Sequence, residues 1–323
     1  MKTVPDQNKI AIQYVSNPNS RSQTMPWLQL IRWKNLLIIF LTQFLAWWCV
    51  VLPCSPTVLT PVNFLCLAIS TILIAAAGYI INDYFDIKID SINKPQKVIL
   101  EITIPRKQAI ISHTALNIIA IALAAYVTAQ ARHFEWLLLQ VACSLLLWFY
   151  STDFKRQYMT GNLVVALLTA LTILSLIIYE PSMPQFSRMI LLVYAYFAFM
   201  LTWIREIVKD MEDLIGDEAE GCITMPIKKG LDYATRFSIL LSALVTLPLG
   251  VASVILFNQN YKWLSIYVIA VLIVSLVLWP VFLVRKTTTQ HYRSASKGLK
   301  VIMLLGIGSL LIYHLQLFTN SAK

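Results

Sequence analysis

Long apolar stretches recur along the chain, and short polar connections separate them. Each stretch is about 20 residues long, which is the length of α-helix needed to cross the ~30 Å hydrocarbon core of a bilayer. The pattern therefore predicts nine membrane-spanning helices. Their predicted ranges are 35–53, 62–82, 108–128, 134–151, 161–180, 188–206, 236–257, 262–284 and 299–318.

Composition supports the same architecture. Hydrophobic residues make up 58% of the 323 residues, charged residues make up 13%, and the mean hydropathy is +0.68. Soluble domains carry roughly 25% charged residues. We therefore expect an all-α, polytopic membrane protein whose helices surround a central cavity that opens to the cytoplasmic face. Residues 1–25 are expected to be a polar N-terminal segment, and residues 26–323 a single intramembrane domain.

The net charge of +10 is distributed unevenly along the chain. With nine spans and a cytoplasmic N-terminus, 22 of the 26 basic residues fall on the cytoplasmic side. This bias follows the positive-inside rule, and it explains the basic charge without a nucleic-acid partner. We expect a multi-pass protein of the cell (inner) membrane whose N-terminus and active site are cytoplasmic.

Two acidic clusters lie in the longest polar connections, residues 83–107 and 207–235. Within each cluster a four-residue spacing places oxygens on one face of a helix, where carboxylates repel one another unless a cation joins them. A solvated helix end explains isolated acids such as Glu101, Glu218 and Glu220. Two clusters of hard oxygen ligands on one side instead indicate Mg²⁺ sites for a diphosphate. The spacing predicts metal ligands at Asn82, Asp86 and Asp90 in the first cluster and at Asp213 and Asp217 in the second.

A diphosphate site also needs cations, and several basic residues lie beside the acidic clusters or at nearby span ends. We expect Lys155, Arg205 and Lys209 to contact phosphate, and Arg156 is a further candidate beside Lys155. Membrane topology alone explains other basic residues on this side, including the group at 285–300. Asn35, near the start of the first span, either caps a helix or hydrogen-bonds substrate.

The acidic clusters resemble the two signatures of the intramembrane UbiA-type prenyltransferases. The first match is Asn82-Asp83-x-x-Asp86-x-x-x-Asp90, followed by Ile92-Asn93-Lys94-Pro95. The second is Arg205-Glu206-Ile207-Val208-Lys209-Asp210-Met211-Glu212-Asp213-x-x-Gly216-Asp217, followed by Met225-Pro226-Ile227. The similarity covers nearly the whole chain and is greatest to the branch that prenylates geranylgeranylglycerol phosphate. Comparable family residues occur at Arg32-x-x-Asn35, Tyr150-Ser151, Lys155-Arg156 and Gly161-Asn162.

The resemblance implies Mg²⁺-dependent transfer of a polyprenyl group from a prenyl diphosphate to a lipophilic acceptor within membrane lipid. One Mg²⁺ would be held by Asn82, Asp86 and Asp90, and the other by Asp213 and Asp217, with Asp83 and Asp210 in support. The implied catalytic residues are Asp86, Asp90, Asp213, Asp217 and Lys155. The implied substrate-binding residues are Asn35, Tyr150, Arg156, Arg205 and Lys209.

Two alternatives stay open from the sequence. The acceptor could be an aromatic or quinone precursor, although Arg205 and Lys209 favour an acceptor that carries a phosphate. A secondary transporter is the alternative from another class, but its key charges would be expected near the bilayer midplane. The chain departs from the family at 97–102, where Lys-Val-Ile-Leu-Glu-Ile replaces the usual Arg-Pro-Ile-Pro-Ser-Gly. The sequence assigns no oligomeric state.

Overall fold

A computed structural model describes residues 26–93 and 98–321, so the predicted N-terminal segment 1–25 lies outside the described residues. The described residues contain nine helices that are long and apolar enough to cross a membrane. They are α1 (Trp33–Cys54), α2 (Pro61–Phe85), α3 (Arg106–Ala131), α4 (Phe134–Thr152), α5 (Thr160–Tyr179), α6 (Gln185–Glu212), α7 (Leu231–Asn258), α8 (Lys262–Leu283) and α9 (Thr289–Asn320). The predicted all-α, polytopic class is confirmed.

The surface of the helix bundle is apolar. Large side chains such as Leu138, Leu247 and Trp263 are exposed, as expected for helices that face lipid rather than water. Buried polar side chains instead hold helices to one another. Gln43 of α1 donates to the backbone oxygen of Thr172 in α5 at 2.9 Å, and Ser70 of α2 donates to that of Ala120 in α3 at 2.8 Å. Such contacts supply specificity where lipid removes most of the hydrophobic driving force between helices.

Helix ends that carry polar residues extend beyond their predicted limits. α6 continues to Glu212, whereas its apolar stretch ends near 206, and α9 begins at Thr289, whereas its apolar stretch begins near 299. Hydropathy marks the part of a helix inside the hydrocarbon, but backbone hydrogen bonding continues into the interface. The extra turns lie on the side of the bundle where α2, α4, α6 and α8 end and α3, α5, α7 and α9 begin.

Short helices fill the connections on that side. They are Pro26–Leu30, Ile87–Asn93, Leu214–Ala219 and Met225–Lys229, with a 3₁₀ turn at Phe154–Arg156. Three of these short elements directly follow α2, α4 and α6, so the polar residues after each of these spans stay close to the bundle. This side therefore holds both acidic clusters.

The opposite side is held together by Glu180, a carboxylate that is only 1% exposed. It accepts hydrogen bonds from the backbone nitrogens of Thr57, Val58 and Leu59 at 3.1, 2.9 and 2.9 Å, and also from Ser182. Burial opposes ionisation, but these hydrogen bonds outweigh it and lower the pKa of Glu180. Glu180 thereby fixes the α1–α2 connection against the α5–α6 connection.

Candidate active site

The two acidic motifs have the same backbone shape. α2 ends at Phe85, Asp86 has φ −92° and ψ 3°, and a short helix resumes at Ile87. α6 ends at Glu212, Asp213 has φ −96° and ψ 8°, and a short helix resumes at Leu214. Neither cluster lies on one continuous helix, because the helix is interrupted at these two aspartates. Each motif instead bends at its central carboxylate.

The bend keeps the ladder of backbone hydrogen bonds on which the predicted spacing relied. Asp86 N donates to Asn82 O at 3.0 Å, and Asp90 N donates to Asp86 O at 2.8 Å. In the second motif, Asp217 N donates to Asp213 O at 3.1 Å. The motif residues consequently follow one another at helical spacing even though the helix axis changes.

In the first motif, Asp86 is the buried centre, with 4% of its surface exposed. It accepts a hydrogen bond from Asn82 Nδ2 at 2.7 Å and forms a salt bridge with Lys155. Burial acts to lower the pKa of Lys155, but the Asp86 carboxylate outweighs it and raises that pKa, so the lysine is held as a cation. The structure thus brings together a predicted metal ligand and the predicted catalytic lysine.

The other two carboxylates of the first motif differ in their electrostatic surroundings. Asp83 is paired with Arg32 at 2.7 Å. Burial, followed by the negative charges of Asp86 and Asp83, raises the pKa of Asp90. A cation placed among these three carboxylates would relieve that repulsion.

In the second motif, Asp210 accepts a hydrogen bond from Asn162 Nδ2 of α5 at 2.8 Å, and Asp217 is buried with 5% exposure. Asn93, at the end of the short helix after the first motif, reaches this motif with both ends of its amide. Its Nδ2 donates to Asp213 O at 3.0 Å, and its Oδ1 accepts from Gly216 N at 2.9 Å. A Cβ at Gly216 would lie 2.4 Å from Asn93 Nδ2, so the contact requires glycine.

The predicted phosphate-binding cations occupy different environments. Arg205 and Lys209 both bind the buried Glu206, at 3.0 and 2.7 Å. Arg156 is exposed, and its backbone oxygen accepts a hydrogen bond from Ile223 N at 2.9 Å.

Two predicted substrate-binding residues lie deeper. Tyr150 is close enough to Lys155, Asp86 and Asp210 to interact with them electrostatically. Asn35 accepts a hydrogen bond from Lys300 at 2.7 Å.

Four site residues were missed by the sequence analysis as contributors. Asn93, Asn162 and Glu206 lie within the matched motifs but were assigned no role. Lys300 was attributed to topology with the rest of the 285–300 group. Motif membership was a signal for the first three, whereas the contact of Lys300 with Asn35 joins distant parts of the sequence and leaves no local pattern.

A turn formed by residues 98–105 covers the first motif. Leu100 and Ile104 are buried and pack with Ile80, Tyr84 and Ile87, and a cavity of about 10 Å³ lies between this turn, Asp83 and Asp90. Glu101 has φ 68°, a left-handed conformation, and is paired with Arg106 at 2.7 Å. The chain therefore makes a tight turn here without the proline and glycine of the family pattern.

The donor set fits Mg²⁺ held together with a diphosphate. Among the described residues, no three Asp, Glu, His or Cys side chains converge on one point as a complete ligand set. Mg²⁺ does not require one, because it commonly uses one or two carboxylates together with phosphate oxygens and water. Asn82 Oδ1 is buried without a hydrogen-bond partner among the described residues, which leaves a hard oxygen beside Asp86 for an ion to satisfy.

In the part of the chain that the structure describes, nine apolar helices carry two matching acidic motifs and a partly buried lysine at one end, which defines an intramembrane enzyme site for a substrate bearing phosphate groups. The chain belongs to the UbiA prenyltransferase family, whose model matches residues 34–313. It is thus a membrane prenyltransferase. The chain is therefore an enzyme rather than the secondary transporter that the sequence had left open.

Two related proteins share one name. The chain is 27% identical to a digeranylgeranylglyceryl phosphate synthase of Methanosphaera stadtmanae, over 88% of this chain and 97% of that one. It is 32% identical to the synthase of that name from Saccharolobus solfataricus, over 76% of this chain and 83% of the relative.

Solved structures show the same fold. One reported for digeranylgeranylglyceryl phosphate synthase in membranes has a TM-score of 0.65 at 25% identity, covering 90% of this chain and 97% of that chain. A UbiA homolog from Archaeoglobus fulgidus bound to GPP and Mg²⁺ has a TM-score of 0.60 at 14% identity, covering 88% and 99%. The second comparison bears on the fold alone.

Proposed function

We propose that this prenyltransferase transfers a polyprenyl group from a prenyl diphosphate to geranylgeranylglycerol phosphate or a related phosphoglycerol lipid, with Mg²⁺ as cofactor. The observation that carries the proposal is the joining of the two acidic motifs by Asn93, with Lys155 bound to Asp86 beside them. The names of the relatives support the choice of acceptor.

Each motif would hold one metal ion. Asn82, Asp86 and Asp90, with Asp83, would hold the first, and Asp213 and Asp217, with Asp210, the second. Bound Mg²⁺ would neutralise the diphosphate and stabilise it as a leaving group. The hydrogen bond from Asn162 to Asp210 and the two hydrogen bonds of Asn93 fix the second motif in position for this.

Basic side chains of the protein would also bind or attract the diphosphate. Lys155 is held protonated by Asp86, so its ammonium group can donate to a diphosphate oxygen as negative charge develops during cleavage of the allylic C–O bond. Tyr150, close to Lys155, would line the same site. Arg156 is exposed at the mouth and would attract the anionic substrate. The hydroxyl oxygen of the acceptor would then form a bond to the allylic carbon, the hydroxyl proton would pass to an oxygen of the departing diphosphate, and diphosphate would leave as the second product.

The proposal assigns this site to one intramembrane domain, residues 26–323, in the cell (inner) membrane, with the site facing the cytoplasm. The uneven distribution of basic residues supports that orientation. The polyprenyl chain would lie among the helices, surrounded by membrane lipid.

Acceptor competition tests the proposal. Purified protein in nanodiscs receives radiolabelled geranylgeranyl diphosphate with geranylgeranylglycerol phosphate and a hydroxybenzoate together, with Mg²⁺ or with EDTA. We expect label in the phosphoglycerol lipid alone, and only with Mg²⁺. Label in the aromatic acid would replace the proposed acceptor with the aromatic one, and transfer in EDTA would overturn the proposed cofactor.

A further inference from the structure

Lys300 of α9 is held within the site by contacts to other helices. Its Nζ donates to Asn35 Oδ1 of α1 at 2.7 Å. Asn35 is also close enough to the hydroxyl of Tyr79 on α2 to interact with it. A lysine that served only topology would extend toward water or lipid headgroups. Lys300 instead links α9 to α1 at one side of the site.

Two further cations lie near Lys300. Arg205 of α6 and Lys34 of α1 are both close enough to repel its ammonium group. We refer to Lys300, Arg205 and Lys34 as the cationic patch. Three like charges gathered at a membrane boundary are unfavourable unless an anion balances them.

The described residues balance this charge only in part. The carboxylate bound to Arg205 is Glu206, and Glu206 is shared with Lys209. Among the described residues, neither Lys300 nor Lys34 forms a salt bridge. Arg205 Nε is buried and has no hydrogen-bond partner in the described part of the chain. An anionic ligand would satisfy that donor and the surplus charge together.

The cationic patch adjoins the residues that the proposed function assigns to the diphosphate, and Arg205 is its one member that the sequence predicted to contact phosphate. Glu206 is close enough to Tyr79 and to Tyr150 to interact electrostatically with both. Tyr150 has the same relation to Lys155 and Asp86. A second anion bound at the patch would therefore lie next to the prenyl diphosphate, as an acceptor must for its nucleophile to reach the allylic carbon.

We propose that the cationic patch binds the phosphate of the acceptor lipid, and that Asn35 positions Lys300 for this contact. The inference rests on the proposed function, and it adds the residues that select a phosphorylated acceptor. A phosphate monoester carries about −1.5 to −2 charge at pH 7 and presents three acceptor oxygens. Arginine binds such a group through its fork of donors and lysine as a compact charge.

The test separates acceptor binding from donor binding in the full-length enzyme. The acceptor KM for geranylgeranylglycerol phosphate and the donor KM for geranylgeranyl diphosphate are measured for wild type, Lys300→Gln and Lys300→Arg. Lys297→Gln is the matched control, because Lys297 lies one helical turn away and is exposed. Geranylgeranylglycerol, which lacks the phosphate, is compared as acceptor, and thermal unfolding checks that each variant is folded.

We expect Lys300→Gln to raise the acceptor KM about tenfold or more, the range for loss of one charged hydrogen bond, with the donor KM unchanged. The preference for the phosphorylated acceptor should shrink in this variant, recover in Lys300→Arg and stay intact in Lys297→Gln. An unchanged acceptor KM, or equal changes in both KM values, would overturn the role of the patch while leaving the proposed function intact. A wild-type enzyme that does not use geranylgeranylglycerol phosphate would overturn the proposed function, and the patch assignment with it.

Discussion

Lys155 and Asp86 show how individual residues acquire their chemistry from burial. Asp86 is almost fully covered and is bonded to both Asn82 and Lys155. Replacing such a pair with apolar groups is often neutral or stabilising, so its presence here points to a role for the charges other than stability. In this site the pair keeps a cation next to the proposed metal ligands.

Replacing Lys155 with Met should lower kcat by about 10²–10³-fold, which is the usual effect of removing one donor that stabilises developing negative charge. No other described side chain forms a salt bridge with Asp86, so no neighbouring cation at that carboxylate would replace the lost ammonium group. Steady-state transfer kinetics measure the effect. Lys107→Met, an exposed lysine at the start of α3, serves as control and should retain full activity. Equal rates for the two variants would refute the role of Lys155.

Glu180 gives a prediction about stability rather than activity. Because its pKa is lowered in the folded protein, it stabilises the fold above the usual glutamate pKa of about 4.3, and this contribution is lost as pH falls through the lowered folded-state value. Glu180→Gln should lower the free energy of unfolding by about 2–4 kcal/mol at neutral pH, because several charge-assisted hydrogen bonds weaken.

Thermal unfolding midpoints between pH 3 and 7 check the Glu180 prediction. The midpoint of the Gln variant should depend less on pH than that of wild type. Glu218→Gln, an exposed carboxylate at the other end of the bundle, is the control and should behave as wild type. A wild-type midpoint that is as insensitive to acid as that of Glu180→Gln would contradict the assignment.

Residue types and local spacing were readable from the sequence, but long-range partners were not. The pairing of Lys155 with Asp86 agrees with their predicted proximity in one site. The link from Lys300 to Asn35 and the function of Glu180 depend on which helix ends meet in space. Hydropathy and motif spacing do not indicate which helix ends contact one another.

The defining feature among the elements is the matched bend at Asp86 and Asp213. Apolar length was sufficient to predict the nine spans found among the described residues, since lipid imposes a minimum helix length. The bends could not be predicted, because four-residue spacing is equally consistent with a continuous helix. The two bends instead turn short helices toward one another, where Asn93 connects them.

Gly216→Ala should separate the two short helices, because its Cβ would fall on the Asn93 amide. We expect activity to drop about tenfold or more, as for other small displacements of catalytic groups. Asn93→Ala should have the same effect, and the double variant should be no worse than either single variant. Prenyl transfer rates measure this.

Gly308→Ala is the matched control for Gly216→Ala. Gly308 lies in α9, and a Cβ there would meet open space, so activity should be unchanged. Additive losses for Asn93→Ala and Gly216→Ala would show that the two residues act separately.

At the scale of the whole molecule, every proposed site residue belongs to one end of the bundle, and that end carries most of the basic residues. The proposed orientation predicts labelling by a membrane-impermeant thiol reagent. In a variant lacking the five native cysteines, Glu218→Cys should react only after cells are opened. Gln259→Cys, in the turn between α7 and α8, should react in intact cells. Labelling of Glu218→Cys but not Gln259→Cys in intact cells would show that the topology is opposite to the proposed one.

We propose that the two acidic motifs form one divalent-cation-dependent site. The most direct measurement is a double-mutant cycle on the Mg²⁺-dependent binding of labelled geranylgeranyl diphosphate, using Asp86→Asn, Asp213→Asn and the double variant. Asp153→Asn, an exposed carboxylate on the same side, is the control. If the motifs form one unit, each single substitution removes most Mg²⁺-dependent affinity and the double variant loses little more. Full affinity in either single variant, or losses that add in free energy, would contradict a shared site.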